Sequence, residues 1–346
     1  MRPAALQGRA PILLATTPLC AGKPPLFSVA TPTRNALDKL QRCVGSVRGQ
    51  TGIALEHLVQ DAQSTDGSAA WLAAESAQHA GMSAASEADS GMYDAINRAW
   101  ARSQGRYLSW LNADEQYLPG TLALVQAYFE SHPQVDALFG DYLVVDPNGR
   151  AVALRREIPL RHFYVANTFL YAQSCTLFYR RELWDSGLLR LDSRLRYASD
   201  KDLVLRLLDA GVRISHLPQV LSIFGIDGSN MSTHAGMARE AEAVRLAHGG
   251  LRLRPLRGLA YAGRRIERLL RGSYQAADIE YRYAIDAVPN YVRYRARALG
   301  GRYSLTDTTG RAEVVGNSAA PSSISAVATP VIAPVISPVI NPETRA

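Results

Sequence analysis

The stretch that decides the fold is residues 26–35, which read LFSVATPTRN. Its first five residues are mostly apolar and predict a buried strand, and the next five are mostly polar and predict a loop. Apolar side chains then recur at helical spacing, at Leu37, Leu40, Val44 and Val47. A strand, a loop and an amphipathic helix in this order make one α/β unit.

The same unit repeats further along the chain. Strands are predicted at 57–60, 83–86 and 107–111, and each is followed by a predicted helix. Such alternation favours an α/β fold with a mostly parallel sheet and helices on both faces. Ligands of these sheets bind at the carboxyl ends of the strands. Four polar loops fall at that edge, and they begin at Thr31, Asp61, Asp89 and Asn112.

Changes in composition predict four segments. They are a flexible leader over 1–25, a catalytic domain over 26–235, an arginine-rich helical region over 236–305 and a tail over 306–346. The tail is rich in Ala, Ser, Val and Pro, and Pro-Val-Ile recurs in it every four residues. Proline at that spacing forbids a helix, so we expect the tail to be disordered.

The arginine-rich region contains one strongly patterned stretch, residues 255–271. Its apolar side chains recur at helical spacing and are surrounded by five arginines. Such a helix suits an anionic membrane surface. It suits packing on the catalytic domain equally well, and both interpretations stay open at this point.

Composition narrows the class of protein. The chain of 346 residues has a formal charge of +7, nearly all of its positive charge being arginine. That excess suits an anionic small substrate or an acidic membrane face, and we expect no nucleic-acid partner. Three scattered cysteines indicate neither a zinc site nor a disulfide framework. With no apolar run of about 18 residues, we expect a cytoplasmic protein, peripheral at most to the inner face of the membrane.

Four acidic stretches carry the chemistry of the predicted sheet edge. Carboxylates gathered at one edge repel one another unless a positive charge lies among them. A divalent metal that carries a diphosphate would supply that charge, because hard cations prefer oxygen ligands. Each stretch alone is also typical of a turn or a helix cap. The four read DAQSTDGS over 61–68, SEADSGMYDAIN over 86–97, NADE over 112–115 and ASDKD over 198–202.

Together with VATPTRN over 29–35, this ordered set closely resembles family 2 glycosyltransferases with the GT-A fold. The resemblance covers roughly residues 27–232. It implies a sugar transferase that uses a nucleotide-sugar donor, UDP- or TDP-linked, together with Mn²⁺ or Mg²⁺. The acceptor would be a glycan or a lipid-linked molecule in polysaccharide or cell-envelope biosynthesis.

The resemblance also implies roles for single residues on the donor side. Thr31 and Pro32 would shape the wall for the base, and Asp61 would accept a hydrogen bond from it. Asp89 would lie near the base or ribose. Asn97 belongs to the matched stretch, and Arg98 follows it at a point where a cation could meet the diphosphate.

Two acidic positions matter most. Asp114 matches the last acid of the Asp-x-Asp signature and would bind the metal and the diphosphate. The first acid of that signature is replaced by Asn112, which weakens the case for a two-carboxylate metal site. Asp200 matches the catalytic base, which would make the reaction inverting. Ser199 and Asp200 could instead cap the helix that follows.

Two other functions remain as alternatives. A sugar nucleotidyltransferase shares the layered architecture, but it would carry a glycine-rich loop after the first strand, and residues 31–35 contain no glycine. A catalytically inactive nucleotide-sugar-binding scaffold would keep the fold and lose the chemistry. The acids at Asp114 and Asp200 argue against it.

Overall fold

A computed structural model describes residues 12–16, 24–228, 235–285, 291–303 and 309–318. Its strands are β1 (Ile12–Thr16), β2 (Phe27–Thr33), β3 (Leu55–Asp61), β4 (Met82–Ser86), β5 (Tyr107–Trp110), β6 (Glu115–Tyr117), β7 (Ala137–Val145), β8 (Ala151–Arg155), β9 (Phe178–Arg180), β10 (Ile214–Gly225), β11 (Ala277–Ala284), β12 (Tyr291–Leu299) and β13 (Glu313–Ser318). Its α-helices are α1 (Leu37–Arg48), α2 (Ser68–Gln78), α3 (Met92–Ala101), α4 (Thr121–Ser131), α5 (His162–Asn167), α6 (Arg181–Asp185), α7 (Ser199–Asp209), α8 (Ala235–Ala247) and α9 (Arg254–Leu270).

The predicted parallel sheet is present. Strands β4, β3, β2 and β5 lie side by side in that order and are all parallel. Thr33 pairs with Asp61, and Asp61 pairs with Ser86, so three strands end level with one another. The loops that follow these strands therefore meet at one edge.

The second half of the sheet mixes directions. Strand β9 runs antiparallel between β5 and β7, β7 is parallel to β10, and β10 is antiparallel to β6. Phe224 near the end of β10 pairs with Glu115 at the start of β6. This pairing places the residues after β10 beside the loop that contains Asp114.

The core contains the large aromatic side chains of this sheet and its covering helices. Trp100 of α3 and Trp110 of β5 are fully buried and meet edge to face, with ring centroids 5.5 Å apart. Tyr179 of β9 stacks on Trp110 at 6.1 Å. These contacts fix α3 against β5, and the amino-terminal end of α3 carries part of the site.

The terminal segments differ from the expectation. The segment expected to be a flexible leader contains β1, which pairs antiparallel with β4. The region expected to be helical over 236–305 contains α8 and α9, but β11 and β12 follow and form an antiparallel sheet with β13. Strand β13 lies in the expected tail, whose residues 319–346 fall outside the described part of the chain.

Helix α9 buries its arginine face and exposes its apolar face, the reverse of the usual arrangement for a surface helix. Arg264 and Arg268 are buried, with 6% and 3% of their surface exposed, whereas Leu269 and Leu270 are 66% and 81% exposed. Arg264 lies over the rings of Phe169 and Tyr171, at 4.5 and 4.4 Å from their centroids. The helix therefore packs by its arginine face, and its apolar face points outward. Within the described residues, no helix has the length and apolar character needed to cross a bilayer.

Candidate active site

Asp61 ends β3 at the centre of the parallel edge and is fully buried. Its Oδ2 accepts hydrogen bonds from the Ser86 hydroxyl at 2.6 Å and from the Ser64 backbone N–H at 3.1 Å. Within the described residues, its Oδ1 has no hydrogen-bond partner. A buried acceptor without a donor is costly, so this oxygen is suited to receive a donor from a ligand such as a base N–H.

Thr31 does not reach the sheet edge with its side chain. Its hydroxyl lies 2.9 Å from Nε2 of His57 and 3.7 Å from the Cys43 sulfur, inside the core. Burial lowers the pKa of His57 to about 3, so this ring stays neutral. The expected wall for the base therefore depends on Pro32 and on Thr33, whose buried hydroxyl has no hydrogen-bond partner in the described part of the chain. No pattern in the sequence distinguishes Thr33 from its neighbours.

The loop after β4 holds its own charged groups. Asp89 accepts a hydrogen bond from the Gly91 backbone N–H at 3.0 Å, and burial raises the pKa of Asp89. Arg98 pairs with Asp94 at 2.9 Å and with Glu87 at 3.1 Å. These two carboxylates balance the charge of Arg98 and brace the loop, and its expected contact with the diphosphate stays a prediction.

Asn97 connects two loops. Its Nδ2 donates to the Leu191 carbonyl at 2.7 Å, and its Oδ1 accepts from the Leu191 N–H at 3.0 Å. Both ends of the amide are thus used within the protein. These bonds tether α3 to the segment before α7, and the expected role of Asn97 toward the nucleotide-sugar stays a prediction.

Asp114 follows β5 and is partly buried. Burial raises the pKa of its carboxyl, the charge of Lys39 opposes that shift, and the charge of Asp227 adds to it. Asp227 is in turn ion-paired with Lys39. A Cβ added to Gly225 would lie 3.5 Å from the Asp114 carbonyl oxygen and 3.7 Å from the Tyr283 hydroxyl. The site around Asp114 therefore draws on α1, the end of β10 and β11.

Glu115, next to Asp114, is fully buried and accepts a hydrogen bond from the Asn112 backbone N–H at 2.9 Å. Burial and the neighbouring charge of Asp114 raise the pKa of Glu115 to about 8. This side chain is mostly protonated at neutral pH. Asp114 thus faces no second full negative charge from its sequence neighbour.

The donor set near Asp114 fits a hard divalent cation only in part. Asn112 Oδ1 is buried and has no hydrogen-bond partner within the described residues, and Asp114 adds a carboxylate. Oxygen ligands of this kind suit Mg²⁺ or Mn²⁺, which also bind substrate phosphates. No group of three His, Cys, Asp or Glu side chains in the described part of the chain is placed to hold a metal ion. The residues present therefore fit a cation whose coordination a diphosphate completes.

Asp200 lies in the first turn of α7 and is partly buried. Its Oδ1 accepts hydrogen bonds from the Lys201 backbone N–H at 2.8 Å and from the Tyr93 hydroxyl at 3.3 Å. Because Tyr93 belongs to the first turn of α3, just after β4, Asp200 lies at the same sheet edge. The cap position of α7 is Ala198, and no side chain of the cap residue bonds there, so Asp200 is not the N-cap.

Glu240 of α8 takes the capping role instead. Its carboxylate accepts hydrogen bonds from the backbone N–H groups of Arg196, Tyr197 and Ala198, at 2.6 to 3.2 Å. A carboxylate at a helix amino terminus satisfies otherwise unpaired N–H groups and interacts favourably with the helix dipole. Glu240 therefore fixes the turn that presents Asp200, with Glu240 lying forty residues further along the chain.

Burial makes the carboxylate of Asp200 more basic than an exposed one. It raises the pKa of Asp200, and the hydrogen bonds from Lys201 and Tyr93 only partly oppose that effect. It also lowers the pKa of Lys201 to about 8. The three lysines of the chain include Lys39 beside Asp114 and Lys201 beside Asp200. Lysine is rare in this sequence, which uses arginine for nearly all of its positive charge. The rarity of lysine is therefore the signal that could have identified Lys39.

The fold and this edge define a glycosyltransferase domain of the GT-A type. Residues 28–187 match the family model described as glycosyl transferase family 2, and this part of the chain belongs to that family.

Curated relatives carry related descriptions. A PGL/p-HBAD biosynthesis glycosyltransferase of Mycobacterium tuberculosis is 33% identical over 136 residues, covering 36% of this chain and 50% of that protein. The O-antigen biosynthesis protein RfbC of Myxococcus xanthus is 29% identical over 213 residues, covering 57% of this chain and 16% of that protein. The chain thus spans half the length of the mycobacterial relative.

Two solved structures share the fold at lower identity. Residues 1–349 of S. aureus TarS, in complex with UDP-GlcNAc, match with a TM-score of 0.52 and 20% identity over 64% of this chain and 66% of that one. The mannosyltransferase PcManGT of Pyrobaculum calidifontis, in complex with GDP-Man and Mn²⁺, matches with a TM-score of 0.50 and 18% identity. It covers 72% of this chain and 71% of that one.

Proposed function

We propose that the protein is an inverting glycosyltransferase of cell-envelope or polysaccharide biosynthesis, which moves a sugar from a UDP- or TDP-sugar to a glycan or lipid-linked acceptor. One arrangement carries the proposal. Asp61, Asp114 and Asp200 lie along one sheet edge, and each has a different environment. The family match and the relatives named above support the transferase class.

The donor would bind across β3 and β5. Asp61 Oδ1 accepts the ring N–H of uracil or thymine, and Pro32 and Thr33 line the base. The diphosphate would lie toward Asp114, where Arg42 of α1 adds positive charge and Lys39 is shared with Asp227. Asn112 and Asp114 would hold a divalent ion, which would supply electrostatic stabilisation for the departing diphosphate.

Asp200 would act on the acceptor. Its carboxylate takes the proton from an acceptor hydroxyl while that oxygen attacks the anomeric carbon. The new carbon–oxygen bond forms on the face opposite the departing diphosphate, so an α-linked donor gives a β-linked product. The raised pKa of Asp200 makes the carboxylate a stronger base than an exposed one.

A donor screen tests this proposal. Purified full-length protein is incubated with UDP-glucose, UDP-galactose, UDP-GlcNAc or TDP-rhamnose, with and without Mn²⁺ or Mg²⁺, and nucleotide release is measured. Release that rises with a suitable acceptor supports transfer. Donor binding without any turnover, with every acceptor offered, would instead identify the inactive scaffold. Formation of nucleotide-sugar from a sugar phosphate would identify the nucleotidyltransferase.

The proposal also places the enzyme at the inner face of the membrane, in contact through residues 255–271. The support is the outward apolar face of α9, where Leu259, Ile266 and Leu270 are each more than half exposed. An amphipathic helix of this kind binds an anionic interface with its apolar face buried among the acyl chains.

A further inference from the structure

A cavity lies away from the residues of the proposed transfer reaction. It has a volume of about 370 Å³ and lies between the end of β8, helix α9 and the segment after β12. Its lining is composed of arginine and tyrosine alone, namely Arg155, Arg265, Arg268, Arg302, Tyr274 and Tyr303.

The positive charge of this cavity is poorly balanced. Glu157 is the one carboxylate that pairs with its arginines among the residues the structure describes, and it is fully buried. Glu157 meets Arg155 and lies 3.8 Å from Arg268 Nε, but it is also shared with Arg264 at 3.1 Å. One carboxylate therefore serves three buried guanidinium groups, and Arg265 and Arg302 add further positive charge.

Two of these arginines also retain unused donors. Arg155 and Arg268 are only 7% and 3% exposed, so water reaches them poorly. In the described part of the chain, neither Nε has a hydrogen-bond acceptor. Buried charged donors are normally paired, because an unpaired one loses its hydration without compensation. These two buried and only partly compensated guanidinium groups therefore make the wall of the cavity positive, which favours an anion there.

The aromatic rings hold the guanidinium groups in fixed orientations. Arg155 lies over Tyr303 at 5.5 Å, and both Arg268 and Arg302 lie over Tyr274, at 4.6 and 5.3 Å from its centroid. Stacking leaves the planar N–H edges of an arginine free to donate. Arg155 already donates to the Gly301 carbonyl and to Glu157, and Arg268 donates to the Arg156 carbonyl. Arg265 and Arg302, for which the described residues provide no hydrogen-bond partner, offer donor edges that match the oxygen atoms of a phosphate.

The source of the phosphate is indicated by the helix that lines the cavity. Arg265 and Arg268 lie on α9 beside Ile266 and Leu269, which are 57% and 66% exposed. A soluble phosphate compound would have no use for an apolar surface next to its site. A lipid offers both parts, since its phosphate and its acyl chains are adjacent.

We propose that this cavity binds the phosphate group of an anionic lipid while the apolar face of α9 lies in the same membrane surface. The inference rests on the proposed membrane contact and is independent of sugar transfer. It assigns that contact a specific phosphate site, in addition to a general attraction between basic residues and acidic lipids.

The test is sedimentation of the full-length protein with phosphatidylcholine vesicles, with and without phosphatidic acid. The test variant is Arg265→Gln/Arg302→Gln, because both residues are exposed and their loss should leave the fold intact. The matched control is Arg252→Gln/Arg271→Gln, which removes two exposed charges at the ends of the same helix without touching the cavity. Each basic residue near a membrane surface contributes enough that losing two weakens binding on the order of 30-fold.

We expect the wild type to bind only vesicles with phosphatidic acid, the control to lose at most the roughly 30-fold of two general basic contacts, and the cavity variant to lose clearly more. Equal losses in the two variants would show a general basic surface and overturn the phosphate site. A wild type that ignores these vesicles overturns the lipid assignment. If inorganic phosphate still raised its Tm, and did so less in the cavity variant, the ligand would be a soluble phosphate compound.

Two further measurements separate this inference from the proposed function. Leu269→Gln/Leu270→Gln should lose vesicle binding and keep the rise in Tm with inorganic phosphate, because the cavity is untouched. Nucleotide release from the soluble donor should be unchanged in the cavity variant. Failure of donor turnover in the wild type would refute the transfer proposal and leave the vesicle result standing.

Discussion

Replacing Asp200 by Asn tests the proposed base with little structural change. The amide has nearly the same size as the carboxylate. Its oxygen can still accept hydrogen bonds from the Lys201 N–H and the Tyr93 hydroxyl, which lie 2.8 and 3.3 Å from Asp200 Oδ1 in the wild type. Because burial raises the pKa of Asp200, the folded protein already holds this charge at a cost. The neutral variant should therefore be no less stable than the wild type. What the substitution removes is the ability to take a proton.

The expected effect on turnover follows from that difference. A positioned general base contributes about 100- to 10,000-fold, or roughly 3 to 5 kcal/mol of barrier. We expect kcat for transfer to an acceptor to fall within that range, while donor affinity stays close to the wild-type value. Asp202→Asn is the matched control, because Asp202 belongs to the same helix but is paired with Arg206 and His248.

The assay combines steady-state nucleotide release with NMR of the product. Donor affinity is measured separately by titration calorimetry, so that binding and chemistry are not confused. The wild-type rate should also fall as the pH drops through the raised pKa of Asp200, because the base must be unprotonated. Normal turnover by Asp200→Asn, or a product with retained anomeric configuration, would refute the mechanism.

Three further predictions follow from the site. Asp114→Ala should abolish transfer and leave the fold intact, as judged by circular dichroism; full activity in that variant or in EDTA would contradict the proposed metal-assisted diphosphate site. Glu240→Ala, which removes the cap of α7, should lower kcat and reduce stability by about 1 kcal/mol, whereas Glu240→Gln should restore part of both; equal kcat in all three proteins would exclude a positioning role. Glu115 has a folded-state pKa raised to about 8 from 4.5, so the folded state binds its proton more tightly than the unfolded state does. The stabilisation from protonated Glu115 is complete below the unfolded-state pKa and is lost as the pH rises toward about 8. In Glu115→Gln, the unfolding free energy should therefore change less with pH over this range. A curve identical to that of the wild type would show that Glu115 ionises normally.

The parallel half of the fold could be predicted because its information is local. Each strand carries its own apolar run, and its loop and helix follow directly in the chain. The polar loop beginning at Asp61 needed no distant contact to be recognised. The level ends of β2, β3 and β4 then follow from the right-handed, regular connections of such units.

The partners of Asp114 could not be predicted in this way. Lys39, Asp227 and Tyr283 come from three distant parts of the chain, and the pairing of β10 with β6 is what brings Asp227 to the loop. No local pattern encodes that pairing. The inward direction of the Thr31 side chain could not be predicted for a different reason, since a motif does not state which face of the strand a side chain takes.

The carboxyl-terminal region shows how composition can mislead. Strands β11 and β12 read ADIEYRYA and YVRYRARAL, and tyrosine or an aliphatic residue alternates there with charged residues. That alternation of period two is typical of a half-buried strand. The high arginine content of the region, together with the helical spacing in 255–271, instead led to the expectation of helices throughout. In α9 the helical period was evident, whereas the buried face could not be inferred, because aromatic rings and Glu157 make arginine the inward residue.

The capping of α7 by Glu240 has a consequence for how proteins of this kind can be recombined. Asp61 and Asp114 lie inside the segment that matches the family, residues 28–187, whereas Asp200 and the carboxylate that fixes its turn both lie beyond it. Under the proposed mechanism, donor recognition and acceptor activation would therefore be encoded in consecutive stretches of the gene. A chimera joined near residue 187 should keep the donor specificity of its first part and take the acceptor specificity of its second part. For this to work, the turn before α7 and the helix that carries Glu240 must come from the same parent protein.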